Sequence, residues 1–233
     1  MTKGVVYYTN NKLDKKIFLA CQRQLKRCME VWDFPIISVS QQPINFGQNF
    51  VMSLESSLIS MYKQMAKGLE ECKTDIVFFA EHDVLYHPSH FDFTPERKDH
   101  FYYNRNEWHV DTITGKTVYY IHNNTTELSA FRETLLNHIR RIIDTNSDRF
   151  HSSWGTSPPR GIPPEEQRAW HYGGYMSKVP NIDIRHSETL SRPRMTKEEF
   201  RSERSRRGWI ESDGIPGWGK TLGRFDEFLS EYL

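Results

Sequence analysis

The feature that most constrains the fold is a short apolar run that ends in two carboxylates. Residues 76–80 read Ile-Val-Phe-Phe-Ala, and Glu81 and Asp83 follow with one residue between them. An apolar run of this length predicts a strand buried in a parallel sheet. Open α/β sheets bind ligands at the carboxyl ends of such strands, so Glu81 and Asp83 are candidate oxygen ligands of Mg²⁺ or Mn²⁺. Spacing alone equally allows a strand that ends in a solvated acidic turn.

The segments before this run alternate between strand and helix character. Residues 4–8 and 35–40 are predicted strands, and residues 14–29 and 50–72 are predicted amphipathic helices with apolar residues three and four apart. The links between them are short. This order predicts an α/β fold with a parallel, doubly wound sheet.

The second half of the chain does not continue this regular alternation of strands and helices. Residues 101–104 and 117–121 are predicted strands, residues 128–143 a helix, and residues 181–186 a short final strand. Residues 152–164 contain four prolines and two glycines, which predicts a long loop of the kind that often carries function. Residues 172–175 are expected to form a turn, and the polar tail to hold helical stretches at 197–207 and 222–232.

Composition narrows the class of protein. The 233 residues carry a formal net charge of +1, so global charge indicates no particular partner. The three cysteines, Cys21, Cys28 and Cys72, have no metal-like spacing, which suits a reducing compartment. No stretch approaches the ~20 apolar residues that span a membrane. We therefore expect a soluble, cytoplasmic protein.

Four signals in order carry a resemblance to a known family. Glu81-His82-Asp83 resembles a DxD motif, Ser129-Ala130 stands where a small-residue turn precedes a helix, Glu165-Glu166 resembles an acidic pair, and His186 follows the final predicted strand. In this order they resemble the nucleotide-sugar glycosyltransferases of the GT-A fold, family 2-like, over residues 4–190. Glycine is usual where Ser129-Ala130 stand. The resemblance implies a mixed, mainly parallel central sheet flanked by helices, with a C-terminal polar and helical extension.

The resemblance also implies a metal centre. Asp83 is the expected direct ligand of Mn²⁺ or Mg²⁺, Glu81 is expected to reach the ribose, or the metal through water, and His186 completes the site. A neutral imidazole is a suitable third ligand for Mn²⁺. His82 is expected to pack or to orient its neighbours. The alternative for His186 is a structural or solvated histidine.

Further residues are assigned to the donor and to catalysis by the same resemblance. Glu165 or Glu166 is the candidate base that takes the proton from an acceptor hydroxyl, although two acids in the first turn of a helix need no such role. Arg185 and Arg192 are expected to neutralise the leaving diphosphate. The loops after the first two strands are expected to contact the nucleobase and ribose of a nucleoside-diphosphate sugar, or to be ordinary turns, through Thr9, Asn10, Ser40 and Gln41.

The sequence also leads to expectations about the domain organisation and the acceptor. Residues 1–190 would form the catalytic domain, with a donor half of about 1–100 and an acceptor half of about 101–190, and residues 191–233 an extension or lid. The acceptor would be a glycan, a small molecule or DNA with hydroxymethylated bases, because residues 185–207 hold eight basic and four acidic side chains. A solvated helix of mixed charge is the alternative for that span.

Two other classes of protein are alternatives to a glycosyltransferase. A nucleotidylyltransferase would normally carry a glycine-rich, basic loop after the first strand, and Thr9-Asn10-Asn11-Lys12 has none. A carbohydrate- or nucleic-acid-binding module without turnover would keep the fold but would not need Glu81 or Asp83.

Overall fold

The fold is an α/β architecture built on a seven-stranded, mainly parallel sheet. A computed structural model describes residues 1–144, 171–187 and 194–233. The strands of this central sheet lie in the order β10-β6-β9-β4-β1-β2-β3. They are β1 (Lys3–Thr9), β2 (Ile36–Ser40), β3 (Gln48–Val51), β4 (Ile76–Glu81), β6 (His100–Asn104), β9 (Leu128–Phe131) and β10 (His171–Tyr175). Only β9 runs antiparallel to its two neighbours among these strands.

A second, five-stranded sheet follows the order β12-β8-β7-β11-β5. Its strands are β5 (Val84–Leu85), β7 (Glu107–Asp111), β8 (Thr117–Tyr119), β11 (Asn181–Arg185) and β12 (Ile210–Ser212). A small hairpin of β13 (Gly214–Ile215) and β14 (Gly219–Lys220) follows. Since β5 begins three residues after β4 ends, the chain passes from the central sheet to the second sheet through the turn that holds the two carboxylates.

Helices cover both faces of the central sheet, because alternate residues of its strands point to opposite sides. Val6 and Phe79 pack on the face covered by α2 (Leu58–Glu71) and α3 (Arg132–Asp144). Val5 and Phe78 pack on the other face, together with apolar residues of α1 (Lys15–Trp32). A third apolar cluster joins α1 and α4 (Phe225–Ser230) to the second sheet.

Local sequence explains where the first two helices begin. The Asp14 side chain accepts hydrogen bonds from the backbone of Lys16 and Ile17, and Ser57 accepts one from the backbone of Ser60. Such N-caps satisfy amide groups that have no partner inside the helix. The helix expected from residue 50 therefore begins at Leu58, and Gln48–Val51 forms the edge strand β3 instead.

Three other expectations about secondary structure were wrong. Leu128–Phe131, expected as helix, forms β9 between β4 and β6, and α3 begins at Arg132. His171–Tyr175, expected as a turn, pairs with β6 as β10. The tail holds two short 3-10 turns, Lys197–Glu199 and Glu203–Arg206, where a longer helix was expected.

The C-terminal residues are part of the sheet structure. Strand β12 pairs with β8, and Phe225 and Phe228 of α4 are buried in the third apolar cluster. The proposed division near residue 190 stays a prediction. None of the helices in the described ranges is long and apolar enough to cross a bilayer.

Candidate functional site

The turn after β4 places Glu81, His82 and Asp83 at the junction of the two sheets. Asp83 is fixed from the second sheet, because its carbonyl accepts a hydrogen bond of 2.9 Å from the Ile184 backbone of β11. The next strand, β5, pairs antiparallel with β11. His186 follows the last residue of β11, so the same pairing brings it opposite the turn.

Asp83, His82 and His186 form a group with the geometry of a cation site. One potential ligand atom from each lies within 4.8 Å of the others. The Nε2 of His186 lies 3.3 Å from the Oδ2 of Asp83. The Oδ1 of Asp83 and the Nδ1 of His82 are buried and have no hydrogen-bond partner. Buried polar atoms are costly when unpaired, and a bound cation would satisfy both.

Protonation in this group also suits a cation. Burial works to raise the pKa of Asp83, but His186, His82 and Arg185 outweigh it and hold that pKa below its ordinary value. Burial lowers the pKa of His82, against the attraction of Asp83. A charged carboxylate and a neutral imidazole are the forms that bind Mn²⁺ or another divalent transition metal. The residues present therefore fit the metal that the sequence implied.

Glu81 is placed differently from its neighbours in the turn. Its carboxyl accepts a hydrogen bond from the hydroxyl of Tyr8, and its backbone nitrogen donates to the hydroxyl of Tyr86. Burial, with the nearby charge of Asp83, raises the pKa of Glu81 to about 8. Glu81 is not in the group of cation ligands, which contains His82 in its place. Its contact with a ribose or with metal through water stays a prediction.

The candidate nucleotide residues lie along the same edge of the central sheet. Strand register places Thr9 beside Ser40 and Tyr8 beside Glu81, so the loops after β1 and β2 adjoin the turn after β4. Asn10 and Gln41 follow in these loops. Two of their hydrogen bonds are local: the Thr9 hydroxyl accepts from the backbone of Asn11, and the Asn10 amide oxygen accepts from the backbone of Lys12.

Asn11, which sequence reasoning passed over, joins these two loops. Its backbone has a φ of 61°, a left-handed conformation that asparagine tolerates better than most residues. Its side-chain oxygen accepts hydrogen bonds of 2.9 Å from the backbone nitrogens of both Gln41 and Gln42. This bridge fixes the distance between the two loops expected to hold a nucleoside.

Arg185 lies inside the site and is not free to follow a substrate. It is 8% exposed, and its guanidinium contacts the carboxylate of Asp183 at 2.5 Å and the Nδ1 of His109 at 3.1 Å. Both partners are in the second sheet, where Asp183 pairs with His109. Its positive charge nevertheless faces Asp83 and lowers the pKa of that residue.

A second group of side chains that could hold a metal ion, which the sequence pattern did not indicate, adjoins the first. Glu107 and His109 are two residues apart on β7 and therefore on one face of the second sheet. His122 lies beside them, with its Nε2 2.8 Å from a carboxylate oxygen of Glu107. One potential ligand atom from each of the three lies within 4.8 Å of the others.

Aromatic residues of the C-terminal segment stack beside this second group. Tyr120 stacks on His109, with ring centroids 4.8 Å apart, and on Trp209 at 5.9 Å. Phe200 contacts both Tyr120 and Trp209 edge to face. The segment from 194 to 209 thus packs against the edge of the site.

Buried charge in the site is unbalanced. Among the described residues, four carboxylates are buried and Arg185 is the one buried Lys or Arg; the four are Asp83, Glu107, Glu127 and Asp183. Burial raises the pKa of Glu127 well above its ordinary value, which favours its neutral form. The other three carboxylates face one arginine, and buried negative charge of this kind needs a compensating cation.

Three of the expected site residues cannot be placed. Glu165, Glu166 and Arg192 lie outside the described residues. Two aromatic residues in the second half of the chain are engaged in packing: Trp218 donates from its indole nitrogen to the Pro180 carbonyl at 2.7 Å, and Tyr175 stacks on Phe93 at 3.9 Å. These contacts give both residues a packing role.

Comparison with known proteins gives structural likeness alone. No family model matches the chain, and no curated protein sequence matches it. Among solved structures, it is similar to a glycosyltransferase involved in glycosylation of the major capsid of PBCV-1. That likeness has 9% identity and a TM-score of 0.45, and covers 76% of this chain and 82% of the other.

A second solved structure is the apo form of the glycosyltransferase GlyE of Streptococcus pneumoniae TIGR4. Here the identity is 10% and the TM-score 0.37, and the match covers 74% of this chain but 45% of the other. Values this low carry no argument about activity, so the function of this chain depends on its own residues.

Proposed function

We propose that the chain is a glycosyltransferase of the GT-A type, which moves a sugar from a nucleoside-diphosphate sugar to an acceptor hydroxyl with the help of a divalent cation. Of the two cations expected, Mn²⁺ suits the imidazoles of the site better than Mg²⁺. The observation that supports it most is the Asp83 group. A buried carboxylate oxygen and a buried imidazole nitrogen, both unpartnered, lie where the sheet ends. Open α/β sheets bind nucleotides at this edge.

Different residues of the chain would bind different parts of the donor. Asp83, His186 and His82 would hold the cation, which when bound supplies charge neutralisation for the leaving diphosphate. The loops that carry Thr9, Asn10, Ser40 and Gln41 would hold the nucleoside, at a spacing fixed by Asn11. Arg185 holds Asp183 and adds positive charge behind Asp83.

Glu81 supports the donor side in its protonated form. Before a cation binds, burial and the charge of Asp83 raise its pKa to about 8, so its carboxyl is largely neutral at pH 7 and adds little negative charge beside Asp83. The Tyr8 hydroxyl orients it. Catalysis by Glu165 or Glu166 as base, and with it the stereochemical outcome, remains part of the proposal that the sequence motivates.

A thermal-shift panel with turnover tests this function. Wild-type protein is heated with each common nucleoside-diphosphate sugar, with and without Mn²⁺, because a ligand of the native state raises the melting temperature. We expect one nucleotide class to raise the melting temperature with Mn²⁺ and to lose most of that effect with a chelator. The same donor should then be hydrolysed or transferred.

Asp83→Asn should abolish the Mn²⁺-dependent shift and the turnover. Asp99→Asn is the matched control, because Asp99 is exposed and pairs with Arg97 away from the site. If no donor acts with Mn²⁺, or if Asp83→Asn behaves as Asp99→Asn does, the proposed function is wrong.

The acceptor stays open between a glycan, a small molecule and a hydroxymethylated DNA base. Arg201, Arg204 and Arg207 are exposed, as binding to a phosphate backbone would need. Binding to DNA would weaken steeply as salt rises, and an absence of salt-sensitive binding to duplex or single strands would remove DNA from the acceptors.

A further inference from the structure

Glu107, His109 and His122 take no part in the donor binding proposed above. Their group shares no residue with the Asp83 group. Glu107 is 2% exposed and His109 is fully buried. A carboxylate and two imidazoles are expensive to bury together without a ligand or a full set of hydrogen bonds.

His109 is the member whose environment points to a missing partner. Its Nε2 is buried and has no hydrogen-bond partner. Its Nδ1, in contrast, lies 3.4 Å from the Asp183 carboxylate.

The contacts of His109 resemble the outer shell of a metal-bound histidine. When Nδ1 carries the proton and donates it to Asp183, the lone pair of Nε2 is free for a cation, an arrangement that orients many metal-ligating histidines. In the structure Arg185 donates a hydrogen bond of 3.1 Å from its Nε to this Nδ1; with a metal on Nε2, the Nδ1 proton would replace that bond, and Arg185 would keep its ion pair with Asp183. Both Arg185 and His109 already contact the same Asp183 oxygen.

Glu107 is held in the same manner. One carboxylate oxygen accepts hydrogen bonds of 3.0 Å from the Thr126 hydroxyl and 3.2 Å from the Asn124 amide. The other oxygen faces His122. Burial works to raise the pKa of Glu107, but His122 outweighs it, so the pKa lies below its ordinary value and the carboxylate is charged.

We propose that Glu107, His109 and His122 form a second divalent-cation site, separate from the Asp83 site. Two imidazoles and one carboxylate are a donor set for transition-metal ions such as Zn²⁺, Co²⁺ and Mn²⁺ and suit Mg²⁺ poorly. Its ion would lie beside the aromatic residues of the C-terminal segment, since Tyr120 stacks on both His109 and His122. The ion would therefore tie β7 to the segment after β8 through its three ligands.

The test counts bound Co²⁺. Wild type, Asp83→Asn, His122→Asn and the double variant are brought to equilibrium with Co²⁺ by dialysis, and bound metal and visible absorption are measured. His122 is partly exposed, so His122→Asn is expected to fold, and circular dichroism checks this. His100→Asn is the matched control, because His100 pairs with Asp99 outside both groups.

The expected result is two equivalents of Co²⁺ in wild type and in His100→Asn, one in each single variant of the two sites, and none in the double variant. One equivalent in wild type that Asp83→Asn removes and His122→Asn retains would overturn the second site and leave the proposed function intact. One equivalent lost in both variants would mean a single shared ion, which also overturns it. No binding at all would overturn both sites.

Discussion

At the residue scale, His138 carries a pH dependence that can be measured. Its ring packs against Phe101 at 5.0 Å in the core beneath α3, and burial lowers its pKa to about 3. The unfolded chain binds this proton near pH 6.5. Between the two values the unfolded state binds more protons, so the free energy of unfolding falls as pH falls.

We expect the wild type to lose about 2 kcal/mol more than His138→Leu between pH 7 and pH 5. Urea unfolding of both proteins at the two pH values measures the difference, in which contributions of the other groups cancel. Equal losses would show that His138 is protonated in the native state at pH 5.

Among the site residues, the sequence indicated one proximity that the structure shows, while the role of these residues as cation ligands stays a prediction. Asp83 and His186 were expected to approach each other, and they lie 3.3 Å apart. His82 was expected to pack or to orient its neighbours, yet one of its ring nitrogens lies within 4.8 Å of the potential ligand atoms of Asp83 and His186. Glu107 and His109 show the same one-residue spacing as Glu81 and Asp83, so that spacing at a strand was a usable signal. His122 had none, because its approach depends on how β7 and β8 pair.

At the element scale, Gly68 allows α2 to lie close to the central sheet. A Cβ built at this position would lie 2.4 Å from the Cγ1 of Val6 on β1. Replacing glycine by alanine in a helix usually stabilises it by about 1 kcal/mol. Here the close contact with a buried, short side chain reverses the sign.

Gly68→Ala is therefore expected to lower the free energy of unfolding by about 1–3 kcal/mol. The double variant Val6→Ala/Gly68→Ala removes the clashing methyl group and should be more stable than the sum of the single changes predicts. Chemical denaturation of the four proteins gives this coupling. A Gly68→Ala protein more stable than the wild type would contradict the packing described.

The elements predicted wrongly share a physical cause. Leu128–Phe131 has apolar residues that a helix would also accommodate, but the space between β4 and β6 is filled by this segment as β9. Tyr172 to Tyr175 contains two glycines and reads as a turn, yet it lies beside β6 as β10. Both segments form strands because they pair with strands that are distant in sequence. Local propensity does not contain that information.

At the scale of the whole molecule, the two sheets meet at the turn of residues 81–83, and the site depends on both. The central sheet supplies the turn and the loops after β1 and β2, and the second sheet supplies His186, Asp183 and Arg185. The alternation of the first half was enough to predict the mainly parallel sheet. The second sheet was not predicted, because most of its strands are short and scattered along the chain.

The central claim is that Asp83 and its two histidines hold a cation against the diphosphate of a nucleotide. Calorimetric titration tests it most directly, with Mn²⁺ and the nucleoside diphosphate selected by the donor panel added in either order. Because linkage is reciprocal, each ligand should tighten binding of the other by the same factor, about 10-fold or more, in wild type and in Asp99→Asn. Asp83→Asn should lose that coupling. Full coupling in Asp83→Asn, or nucleotide binding in wild type that is indifferent to Mn²⁺, would contradict the account.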